Sequence, residues 1–139
     1  MVRRSSVFDR LALKETVHIN QQMRNLSELN TEFLKVENMR MRLQEMADEP
    51  EADTADRTVF SLRATSQFSQ QIRDQLDTAT NRSEHLNDEL RFLRQKIAIS
   101  DRKREKSASK AKAIRLKDHD DRQLKQEDDD ASRRGARQR

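Results

Sequence analysis

From Leu62 to Ile97, apolar residues recur at alternating steps of three and four: Leu62, Ile72, Leu76, Ala79, Leu86, Leu90, Leu93 and Ile97. Such spacing places them on one narrow stripe of a helix, an a/d seam that needs a second helix to cover it. The same step counted from Phe8 gives Phe8, Ala12, Glu15, Ile19, Gln22, Leu26, Leu29, Phe33, Val36, Arg40 and Leu43, of which eight of eleven are apolar. Two long helices are predicted, one over about 7–47 and one over about 58–126. Ser5 or Ser6 is a candidate cap for the first. Met23, Met39, Met41 and Met46 flank the first seam, either filling gaps beside it or offering an adaptable patch to a partner.

Between the helices, residues 48–57 (DEPEADTADR) hold the one proline, five acids and one base, and no large apolar side chain. Pro50 lacks the helix N–H and disfavours helical geometry at Glu49, so a loop is predicted. Asp56 or Thr58 is positioned to cap the second helix. If the chain reverses about the middle of this loop, facing residues have numbers that add to about 105. Leu62 then meets Leu43, Ile72 meets Phe33, Leu76 meets Leu29, and Ala79 meets Leu26. Leu86 meets Ile19, Leu93 meets Ala12, and Ile97 meets Phe8. An all-α fold is expected: a long antiparallel coiled-coil hairpin forming a single unit. At about 1.5 Å per residue the first helix covers the second only as far as about residue 98. A charged C-terminal segment is therefore expected to overhang, with an unstructured basic tail over about 127–139.

Composition agrees with a narrow seam and no compact core. Of 139 residues, 39% are charged and 32% hydrophobic, with one Gly, one Pro and no Trp, Tyr or Cys. Lack of cysteine removes disulfides, thiol catalysis and Cys-ligated zinc. No apolar run approaches a bilayer span, and the first 13 residues lack the apolar core of a signal peptide, so a cytoplasmic protein is expected.

The net charge of +4 conceals strong clustering. Residues 102–117 carry Arg102, Lys103, Arg104, Lys106, Lys110, Lys112, Arg115 and Lys117 against Glu105 alone. Asp118, Asp120, Asp121 and the acids of 127–130 follow, and then Arg133, Arg134, Arg137 and Arg139. Eight cations in sixteen residues would attract a nucleic-acid backbone. The run holds no stacking aromatic, however, and the acids just downstream would repel phosphate. A solvated helix face or a surface for an acidic protein partner suits it better.

No catalytic constellation stands out. His18, His85 and His119 lack paired-ligand spacing. Asp118, Asp120 and Asp121 lack the turn glycine and the final Glu of a calcium loop. Two helices alone offer no concave pocket, and the expectation is a non-enzyme with no cofactor, metal or small-molecule substrate.

Near the C-terminus, KQEDDDASRRGAR resembles the closing signature of the FliJ family of flagellar type III export proteins. Lys125, Asp128, Asp129, Ala131, Arg133 and Arg137 match that pattern, whereas Glu127 and Asp130 stand where apolar residues are usual. Chain size, two long helices and a basic C-terminal helix extend the likeness over the whole chain. The resemblance implies a central stalk of the hexameric export ATPase that links it to the membrane export gate and handles export chaperones. It also implies a cytoplasmic location, peripheral to the inner membrane at the flagellar base. On that reading Arg102, Lys103, Lys106, Lys110, Lys112, Arg115 and Lys117, with Lys125, Asp128, Asp129, Arg133 and Arg137, contact the ATPase ring. Two alternatives are a generic coiled-coil adaptor or homodimer and a basic helical nucleic-acid-binding protein.

Overall fold

In a computed structural model the chain forms two helices that contact one another, α1 (Val2–Asp48) and α2 (Val59–Arg137). The structure describes residues 2–49 and 58–138, and no strand occurs among them. Most of the expected loop, 50–57, lies outside the described residues, as does the candidate cap Asp56. Thr58 does cap α2. Its Oγ1 accepts the Ser61 N–H at 3.2 Å, and its carbonyl accepts the Leu62 N–H at 3.0 Å.

The start of α1 differs from expectation. It is helical from Val2, and Ser5 is buried inside the helix rather than capping it. Helix ends follow tertiary packing more than local propensity, and here packing against α2 reaches as far back as Ser5. At the other end α2 continues to Arg137, where an unstructured tail from about 127 was expected. No proline interrupts that stretch, Gly135 sits in the last turn, and Arg134 and Arg137 oppose the negative end of the helix dipole.

The packing divides into two units. One comprises Met23–Gln95, and the other Met1–Gln22 with Lys96–Arg139. In the first, Leu43, Ile72 and Ala79 form a buried cluster against which Leu76 packs. Ser83 Oγ donates to the Glu37 carboxylate, and Arg82 pairs with Glu32. Leu86 and Leu90 are the most deeply buried leucines here, at 3% and 2% exposed. In the second unit Lys110 Nζ lies 5.6 Å from the centre of the Phe8 ring, Arg115 donates to Asp9 at 2.6 Å, and Ala111 is fully buried.

Both seams are occupied as the 3,4 repeat predicts. Every α1 position counted from Phe8 to Leu43 is buried or half-buried, including the polar Glu15, Gln22 and Arg40. On α2 the same holds for Ile72, Leu76, Ala79, Ser83, Leu86, Leu90, Leu93 and Ile97. Leu62 is the exception at 46% exposed.

The register is the main correction. Leu43 packs with Ile72, Leu76 and Ala79, not with Leu62. Glu37 meets Ser83, and Phe8 meets Lys110 rather than Ile97. Contacts run down α2 as they run up α1, and within each unit facing numbers add to about 119, two heptads beyond 105. The physical reason is that a heptad seam presents the same stripe every seven residues. The burial pattern of each helix is therefore compatible with several registers, and a connection of some ten residues does not force the helix ends level.

This register also overturns the expectation that everything beyond residue 100 lacks packing. Ser100 and Ala111 are buried, and Arg104, Ser107, Ile114 and Asp118 are half-buried. Continuous exposure begins only at residue 119.

Candidate interaction surface

The charged residues of α2 fall into two environments. Arg102, Lys103, Lys106, Lys112 and Lys117 are exposed along a stretch whose seam side is covered by α1. Lys110 and Arg115, equally exposed, reach across to Phe8 and Asp9. Arg104 pairs with Asp101 one turn back. The basic run is thus a solvated face of a packed helix, and its seam side mixes small residues, Ser100, Ser107 and Ala111, with the half-buried Arg104 and Ile114.

Lys125, Asp128, Asp129, Arg133 and Arg137 lie in the second environment, where every residue from 119 to 138 is exposed. The carboxylates of 127–130 precede the cations of 133–137 by one to two turns, so the helix offers a band of each sign. The candidate residues share one unit, but the register places 102–117 beside α1 and leaves 119–137 solvated on all sides.

A contribution from α1 had no counterpart in the expected site. Val7, Leu11, Leu13 and Val17 are exposed, as are Arg10 and Lys14. Aliphatic residues off the seam, spaced between cations, are the pattern that marks them. Of the flanking methionines, Met23, Met39, Met41 and Met46 are all more than half exposed. Met39 alone of these lines the groove beside Val36, Leu43, Asp74, Gln75, Thr78, Ala79 and Arg82, an open space of about 500 Å³.

Electrostatics in the Met23–Gln95 unit centre on Glu37. Its carboxylate accepts from Arg40, 3.0 Å away, and from Ser83, and these hydrogen bonds hold its pKa below the usual carboxylate value, with Arg40 the larger cause. Glu37 thereby ties the two helices through Ser83. Among the described residues no group of three or more His, Asp or Glu could hold a metal ion. No helix of the described residues is long and apolar enough to cross a membrane.

Comparison of the chain with protein-family models, with curated proteins and with solved structures gives no match.

Proposed function

We propose that the protein is a non-enzymatic, antiparallel two-helix coiled coil that works by docking its charged C-terminal helix into a partner, and that the partner is the hexameric ATPase of a flagellar type III export apparatus. The observation that carries this reading is the segment 119–137: a helix exposed on every side, banded with acid and base, bearing at its end the residues that resemble the FliJ signature. A charged helix with no packing of its own is marginal in water, and seating in a ring would supply the contacts it lacks. The stalk role, the link to the export gate and the handling of chaperones follow from the resemblance.

The basic face of 102–117 supports the same reading in a different way. Lying on a packed helix, it meets the mouth of a ring as a preformed surface, so little ordering accompanies binding. A negatively charged rim on the ATPase is the complement it requires.

The test is a titration of the protein against the export ATPase of the same organism, following complex formation and ATP hydrolysis together. Saturable binding near one chain per ATPase hexamer, with altered hydrolysis, is expected, and charge reversal at Arg133 and Arg137 should weaken both. A doubled mass in the absence of ATPase would instead favour a homodimeric adaptor. Steeply salt-dependent affinity for arbitrary DNA would favour a nucleic-acid binder.

A further inference from the structure

We infer that the outward face of α1 between Val7 and His18 is a docking surface for an anionic lipid bilayer, beyond and separate from the α2 surfaces assigned to the ATPase. At about 100° per residue, Val7 and Leu11 form one pair along this face and Leu13 and Val17 a second, with Arg10 and Lys14 running between them. All six are exposed, and Leu13 and Val17 leave 64% and 61% of their surface in water. The seam residues Phe8, Ala12, Glu15 and Ile19 lie on the opposite side and are buried or half-buried, so the face cannot be covered by α2.

Its charge is one-sided. Residues 2–22 contain two acids. Asp9 is held by Arg115, and Glu15 is half-buried in the seam. Arg4, Arg10 and Lys14 remain on α1 with no acid on the outward face.

Aliphatic side chains flanking cations are what an interfacial helix uses. The aliphatics enter the acyl boundary while the Lys and Arg stems lie along it and keep their charges among the headgroups. Two features favour a bilayer over nucleic acid. The apolar groups of this face are branched aliphatics, which add nothing to phosphate contacts. The aromatic ring nearest the cations, Phe8, is half-buried beneath Lys110 and cannot stack on bases.

The experiment is co-sedimentation of the full chain with vesicles of phosphatidylcholine alone and of phosphatidylcholine with phosphatidylglycerol. Binding to the anionic vesicles and not to the neutral ones is expected. Arg10→Gln and Lys14→Gln should each weaken partitioning about fivefold, the effect of one cation near an anionic surface. The double variant Leu13→Ser, Val17→Ser keeps the charge and should lower partitioning by an order of magnitude or more, the transfer of about two aliphatic side chains. All four positions are solvent-exposed, so helix content by circular dichroism should stay at the wild-type level and ATPase binding should be unchanged. Absence of binding to anionic vesicles, equal binding to neutral ones, or full binding by the serine variant would each overturn the inference. The last would leave an electrostatic surface that fits nucleic acid or an acidic protein equally well.

Discussion

At Gln22 the seam carries a polar side chain whose Oε1 is buried without a hydrogen-bond partner. In a register where facing numbers add to about 119, Gln22 stands level with Ile97, which offers it nothing. A buried, unpaired amide oxygen opposes folding by about 1–3 kcal/mol. Gln22→Leu should therefore stabilise the protein by about 1 kcal/mol or more, read as a higher midpoint in urea. A lowered midpoint would mean that the amide finds a partner in solution. Glu37 makes the opposite case. Its pKa is lowered in the folded protein, chiefly by Arg40 and then by Ser83. A depressed carboxylate contributes stability that is complete above its ordinary pKa and lost as pH falls through the folded value. The melting temperature of wild type should thus exceed that of Glu37→Gln near neutral pH, and the gap should close as pH drops below the ordinary value of 4.5. A gap that persists unchanged into acid would show that the carboxylate charge is not what joins Glu37 to Arg40 and Ser83.

At the scale of the element, the two helices owe their existence to different causes. Helix α1 has an apolar stripe for most of its length, whereas α2 changes character along its course. Its seam from Leu76 to Leu93 holds four leucines with Ala79 and Ser83 between them, and beyond Ile97 small and polar residues take over. Packing still continues there, with Ser100 and Ala111 buried and Ser107 half-buried, and Phe8 and Asp9 of α1 meet Lys110 and Arg115. Cross-linking can read the register directly because the chain has no native cysteine. Oxidation of a Leu43→Cys, Leu76→Cys double variant should join the two positions within one chain. A Leu43→Cys, Leu62→Cys pair should stay reduced under the same conditions. The reverse result would restore the pairing in which facing numbers add to about 105.

For the whole molecule, charge separates between the two units. Met1–Gln22 with Lys96–Arg139 contains 19 Lys and Arg against 11 Asp and Glu, and Met23–Gln95 contains 10 against 14. A single unit therefore carries most of the attraction for an anionic partner, and association with one should slow as salt is raised. Removal of 119–139 takes away only residues outside the packed seam. The truncated protein should melt within a few degrees of wild type while losing ATPase binding. Removal of 100–139 is a different operation, since it strips the partners of Phe8 and Asp9, and it should cause substantial loss of helix by circular dichroism. If both truncations melted alike, the packing of 100–118 against α1 would have to be abandoned.

The sequence by itself determined that there are two helices and which stripe of each is buried, and it narrowed the cap of the second to Asp56 or Thr58. Those features depend on periodicity and on single residues, and both are local. It also marked Arg102–Lys117 and the terminal signature as charged surface, because charge clustering needs no fold to be seen. Only the tertiary structure decided the register, and with it three things: that Leu62 is exposed, that the basic run lies beside α1, and that unpacked helix begins near residue 119. A heptad repeat is unchanged by a shift of seven residues, so two seams that fit in one register fit nearly as well in the next. What separates the registers is the sum of many small matches of size and polarity along both helices, which becomes a definite choice only when the helices are side by side.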